Sequence, residues 1–160
     1  NLIAELKKGG KLIFIRHAYA PGIGDPDNFD IDNCNTQRNL NDVGREQAKK
    51  IGAFFKKNNI TVDEVYSSEW CRCKETAQIA FNKYEKKNFL NSFFSSRFFK
   101  NKDSQMIKLK RFIYNHDNKK NIIFLTHYVV INETLNYSSN SGEIIVIDKN
   151  YNILGNLMTN

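Results

Sequence analysis

The chain has 160 residues, 41% of them hydrophobic and 26% charged, with a formal net charge of +7 at pH 7. That length suits one α/β domain over residues 1–160, with a substantial core, and is short for two. The composition excludes a disordered chain, and no apolar run reaches membrane-spanning length. The excess lysines fall on helix faces and in Lys-Lys pairs without interleaved aromatics, which reads as solvated surface with no nucleic-acid partner.

Leu2, Ile3 and Leu6 share one helical face, and Gly9-Gly10 ends that first short helix. The stretch KLIFIRHAYAPG, Lys11 to Gly22, follows. Its apolar run predicts a buried strand that delivers Arg16-His17 to its carboxyl end, and Pro21-Gly22 forbids helix or strand beyond. Open α/β sheets bind ligands at that end of their strands. Arg16 offers a fixed charge with a fork of donors, and a neutral His17 offers a nucleophilic ring nitrogen, so the pair suggests phosphate chemistry.

Ala18 to Asn39 is a long loop holding Asp25, Asp27, Asp30 and Asp32, expected to lie over the site that His17 opens. Asn41 or Asp42 caps a helix reaching about Lys57, with Val43, Ala48, Ile51, Phe54 and Phe55 on its inner face. Thr61 to Ser67 reads as a strand ending in Ser67-Ser68. A helix from Trp70 to Tyr84 places Arg72 in its first turn, where the helix dipole and backbone donors favour an anion. Asn88 to Lys102 fits a strand, a loop or a hydrophobic lid, and its four phenylalanines from Phe93 to Phe99 read as core in preference to a ligand platform. A further helix covers Ser104 to Tyr114, with Met106, Leu109, Phe112 and Ile113 inward. Asn121 to Thr126 is a strand buried on both faces that ends at His127. A short helix and a terminal hairpin, turning at Lys149-Asn150, complete a three-layer α/β/α sandwich with a mostly parallel central sheet.

The cysteines are Cys34, Cys71 and Cys73. Cys-x-Cys is not a zinc spacing and no other pair completes a ligand set, so no metal is expected. A disulfide from Cys34 to Cys71 or Cys73 and three buried thiols both fit the sequence.

Arg16, His17, Arg72 and His127 thus stand just beyond strand-like runs, and parallel connections would gather them on one sheet edge. The segments FIRHA at 14–18, RNLNDVGREQAKKIG at 38–52, VYSSEWCRCKETA at 65–77 and FLTHYVV at 124–130 resemble the histidine phosphatase superfamily, in the branch that holds phosphoglycerate mutases and phosphohistidine phosphatases. The resemblance implies a phosphoglycerate mutase-like fold and hydrolysis without metal or other cofactor. It implies His17 as the nucleophile that becomes phosphohistidine, and Arg16, Arg72 and His127 as holders of the phosphoryl oxygens. The substrate would be a small phosphorylated compound or a phosphohistidine; mutase-like transfer, or phosphate binding with weak catalysis, are the alternatives.

Three positions depart from the family pattern. Ala18 replaces the common glycine, Ile23 stands where many relatives have asparagine, and Leu90-Asn91-Ser92 lacks the acid that protonates the leaving group. A loop aspartate, Glu75 or Glu133 is an alternative donor, and a good leaving group would lower the need for one; the loop acids read primarily as turn formers. Gln37 and Arg38 are candidates for substrate binding, Arg38 equally for pairing with an acidic loop residue. DNCNTQRNL and SSEWCRC also resemble a bacterial group of the superfamily whose members look exported. With Asn1 rather than Met at the start, that favours a periplasmic or otherwise exported setting after loss of a leader, the cytoplasm being the alternative.

Overall fold

A computed structural model describes residues 1–159. Six strands form one sheet: β1 (Leu12–Arg16), β2 (Glu64–Ser67), β3 (Glu85–Lys86), β4 (Ile122–Thr126), β5 (Ile144–Ile147) and β6 (Ile153–Leu157). Their order is β3-β2-β4-β1-β5-β6. The pairs from β3 to β1 are parallel, and the hairpin of β5 and β6 adds antiparallel pairings at the other edge. Around the sheet lie α1 (Leu2–Lys8), α2 (Asp42–Lys57), α3 (Cys71–Phe81), α4 (Lys102–Tyr114) and α5 (Tyr128–Leu135).

The layering follows from the two-residue period of the strands. Leu12, Phe14, Ile122, Phe124, Ile145 and Ile147 pack on one face with Leu109 and Ile113 of α4 and Val130 and Ile131 of α5. Ile13, Ile15, Ile123, Leu125, Ile144 and Val146 pack on the other with Leu6 of α1, Ile51 and Phe55 of α2, and Ala77 of α3. Every residue of β4 and β5 is buried, which is why both read as unbroken apolar runs. Among the described residues no helix is long and apolar enough to cross a membrane.

Three expectations about the elements change. β2 begins at Glu64 rather than Thr61, and α3 stops at Phe81 because Asn82 takes a left-handed conformation and closes the helix through the Gln78 carbonyl. Val43 is 65% exposed instead of inward. The inner face of α2 is carried by Ala48, Ile51 and Phe55 together with Gly44 and Gly52. A Cβ on Gly52 would lie 2.3 Å from the Ala80 carbonyl oxygen, so glycine there lets α2 press directly on α3.

The register brings the chemistry together. Arg16 pairs with Thr126 across β1 and β4, and Ser67 pairs with Leu125 across β2 and β4. The residues that follow, His17, Ser68 and His127, therefore emerge side by side.

Candidate active site

His17 is buried, and its backbone N–H donates to the Thr126 carbonyl at 3.0 Å. Its Nδ1 lies 2.8 Å from the Ala18 carbonyl, a partner that can only accept, so Nδ1 carries the proton and the Nε2 lone pair is free. The Nε–H of Arg72, from the first turn of α3, points at that lone pair at 3.3 Å. Burial, then the charges of Arg72, Arg16 and Arg38, hold the His17 pKa well below the ordinary imidazole value.

His127 caps α5, and its ring meets the His17 ring edge-on at a centroid distance of 5.6 Å. Its Nε2 is held by the Ser68 hydroxyl at 2.8 Å, with the Cys73 sulfur at 3.5 Å. Burial and Arg72 push its pKa well down too. Arg16 donates from Nη1 to the Ser139 carbonyl at 2.8 Å, stacks over the Tyr128 ring, and keeps a buried Nε–H without a protein partner.

The loop supplies an anion to this cationic floor. Asp25 accepts from both terminal nitrogens of Arg72 at 2.8 and 3.4 Å, from the Arg38 backbone at 3.0 Å and from the Trp70 indole at 3.1 Å. Burial raises its pKa, but the Arg72 hydrogen bond and charge, with the other donors, outweigh it and leave the carboxyl below its ordinary value. Asp25 is therefore a carboxylate seated on the Arg72 guanidinium.

Arg16, His17, Arg72 and His127 all line one cavity of about 550 Å³, with Arg38 on its loop side. Among the described residues the Arg38 guanidinium forms no ion pair with a loop acid: it lines the cavity and donates to the Gly24 and Ala20 carbonyls at 2.7 and 2.6 Å, and only the Arg38 backbone N–H meets Asp25. Burial and Arg72 lower its pKa to about 10. Gln37 is outside the lining. Its buried amide accepts the Cys71 N–H at 2.9 Å and donates to Asp30 and Ile31 carbonyls, capping α3 and fixing the loop against it.

Cys34 is bonded to Cys71, and Cys73 is a buried free thiol whose pKa burial pushes up to about 12. Glu75 pairs with Arg45 and Glu133 with Lys102, so neither of these candidate acids reaches the site. Among the described residues no group of three or more His, Cys, Asp or Glu side chains gathers to hold a metal.

The phenylalanine-rich segment is the main correction. Phe93 is core, but Phe94 and Phe99 are 59% and 56% exposed, and Phe94 and Phe98 line the cavity with Ser92, Ser95 and Arg97. Two short 3-10 turns, Asn88–Leu90 and Phe99–Asn101, flank the run, so its aromatics follow no helical or strand period and part company in space. Ser68, which orients His127, and Trp70, which holds Asp25, are site residues that sequence reasoning missed. The polar ending of the strand, Ser67-Ser68, was the available signal for the first.

The sandwich thus sets an imidazole nitrogen among guanidinium groups at the carboxyl ends of its parallel strands, which defines an α/β protein with a cationic cavity at that edge. Residues 12–90 match the histidine phosphatase superfamily (branch 1). The chain belongs to that superfamily and has its phosphoglycerate mutase-like fold. It is 37% identical over 87 residues to the mitochondrial serine/threonine-protein phosphatase Pgam5 of Drosophila grimshawi, a match covering 53% of this chain and 27% of that protein. The chain thus spans only about a quarter of that relative. In fold it is similar to the phosphoglycerate mutase of Thermus thermophilus (TM-score 0.62, 14% identity, 94% of this chain and 99% of the other). It is also similar to a protein assigned to the phosphohistidine phosphatase SixA, from Agrobacterium tumefaciens (TM-score 0.64, 16% identity, 94% and 98%).

Proposed function

We propose that the chain is a phosphatase that hydrolyses a phosphomonoester or phosphoramidate through a phosphohistidine at His17. The observation that carries this reading is the unprotonated Nε2 of His17 with the Arg72 Nε–H at 3.3 Å and the His127 ring beside it in one cavity. Nε2 attacks phosphorus opposite the leaving group, whose bond to phosphorus breaks; Arg16 and Arg72 stabilise charge on the equatorial oxygens, and His127 lies beside them. Water then attacks phosphorus, the P–N bond breaks, and the lone pair returns to Nε2.

The match to a serine/threonine-protein phosphatase supports hydrolysis as the outcome. Asp25, held by four donors, is poorly placed to act as proton donor, which favours a substrate whose leaving group departs readily. The Cys34–Cys71 bridge favours an oxidising, exported setting, periplasmic in a bacterial cell.

Phosphate release from aryl, alkyl and phosphohistidine substrates by the wild type and by His17→Ala tests the reading. Turnover in the wild type and its loss in a folded His17→Ala protein are expected. Hydrolysis at the wild-type rate by the variant would overturn it.

A further inference from the structure

The floor of the cavity accounts for a phosphoryl group, but not for its rim. Ile23 is 89% exposed and Phe94 59% exposed, and both line the cavity mouth with Pro26 and Val129. Large apolar side chains gathered at the mouth of a polar pocket are costly to leave in water and mark where a ligand's apolar part rests. Phe94 reaches across to the loop, where a Cβ on Gly24 would sit 3.7 Å from its ring. The rim is thereby built from two separate segments that face each other over His17.

The rim also has an aromatic direction. Phe98 packs edge-on against Trp70 at 5.5 Å, Trp70 edge-on against His127 at 5.4 Å, and His127 against His17 at 5.6 Å. Phe29, which also lines the cavity, stacks on Trp70 at 4.9 Å and meets Phe98 edge-on at 5.7 Å, which braces this row. Ring edges and faces therefore run from the mouth to the nucleophile, and a planar ring bonded to phosphorus through oxygen would lie among them in the offset and edge-to-face arrangements that aromatic groups prefer. Four arginines, Arg16, Arg38, Arg72 and Arg97, and two aspartates, Asp25 and Asp27, line the same cavity, leaving two positive charges for a phosphate dianion.

The proton inventory points the same way. Asp25 is bound as a carboxylate by Arg72, Arg38 and Trp70, and Asp27 lies at the solvent-exposed outer rim. A site with its inner carboxylate so committed suits a leaving group that departs as an anion, which a phenolate, with a conjugate acid near pKa ~10, does far more readily than an alkoxide.

We propose that the substrate is an aryl phosphate monoester, with its ring on the Ile23, Phe94 and Phe98 rim and its phosphate over His17; this rests on the phosphatase reading above and adds the class of leaving group. The His17 Nε2 lone pair forms the P–N bond as the P–O(aryl) bond breaks, and the phenolate leaves with that bonding pair. Water then attacks phosphorus, the P–N electron pair returns to Nε2, and the proton lost by the water goes to the phenolate, so that phenol and hydrogen phosphate are the products.

Binding is the test, because aryl esters are intrinsically more reactive and rates alone would favour them. Phenylphosphonate, cyclohexylphosphonate and methylphosphonate, which carry no scissile P–O(aryl) bond, are titrated calorimetrically against the wild type and Phe94→Ala. Phenylphosphonate should bind about tenfold or more tighter than methylphosphonate and measurably tighter than cyclohexylphosphonate, and Phe94→Ala should shrink the phenyl-to-methyl ratio about tenfold. Equal affinity for the phenyl and methyl compounds, or for the phenyl and cyclohexyl compounds, overturns the proposal, as does a ratio that Phe94→Ala leaves unchanged. Phenyl phosphate and a phosphotyrosine peptide, assayed in parallel for phosphate release, separate a small aryl ester from a protein side chain, and turnover of either supports it. Phosphonate selectivity without any phosphate release would leave the aryl site standing and remove the phosphatase reading; release without selectivity would do the reverse.

Discussion

Arg72 serves two partners at once, since its Nε–H faces the His17 lone pair while its terminal nitrogens grip Asp25. Replacing it by lysine keeps the charge but loses the planar fork, so kcat/KM for a phosphomonoester should fall by about 10²–10³, as removal of a positioned donor does in other sites. Steady-state kinetics on folded Arg72→Lys protein checks this. Asp25→Asn should do the opposite to anion affinity, because the carboxylate competes with phosphate for the same guanidinium. Inorganic phosphate should bind about tenfold tighter, measured by calorimetry, which corresponds to roughly 1.4 kcal/mol. Both histidines have folded pKa values below the unfolded value of about 6.5, so between those values the unfolded chain binds more protons than the native one. Their burial therefore costs nothing above about pH 6.5 and destabilises the fold progressively as pH falls below it. Asp25, with a lowered pKa, contributes stability that is present above its unfolded value near ~3.9 and lost as pH falls through its folded value. Urea midpoints should thus decline from about pH 6.5 downward, while the acid limb of kcat/KM from His17 protonation lies below that pH.

The loop from Ala18 to Asn39 is held on α3 by Gln37 and by the Cys34–Cys71 bond, which spans 37 residues of sequence. In the chain-entropy account a loop of that size contributes about 3–4 kcal/mol. The Cys34→Ser, Cys71→Ser protein should therefore melt roughly 10 °C lower. It should also lose phosphate affinity, because the loop positions the cationic Arg38 at the cavity; an unchanged melting temperature in calorimetry would contradict this. The bridge shows what element-level reading of sequence leaves open. Cys71 and Cys73 are two residues apart on a helix, about 200° around its axis, so one meets the loop while the other turns inward toward His127. Nothing in their spacing says which faces which way until the helix is docked. β1 and β4 were legible as short unbroken apolar runs and α4 by its helical period, whereas β3 has two residues and no pattern to read.

In the whole molecule, parallel strands deliver Arg16, His17, Ser68, Arg72 and His127 to one edge, and sequence order plus the parallel-connection rule was enough to foresee that gathering for all but Ser68. The rim was not legible in the same way. Phe93 enters the core while Phe94 turns to the cavity, a division fixed by the path of a segment without repeating structure. Asp25 looked like one of several turn-forming acids, and only the folded loop distinguishes it as the partner of Arg72. The phosphatase reading depends on a covalent bond forming at one ring nitrogen. Acid-sensitive phosphoryl label should therefore be trapped by rapid quenching with an aryl phosphate, at about one phosphoryl group per chain. Mass spectrometry of peptides kept at alkaline pH should place it on His17, with ³¹P–¹⁵N NMR assigning it to Nε2. Label on any other residue, or full turnover with no phosphoprotein formed, would contradict it.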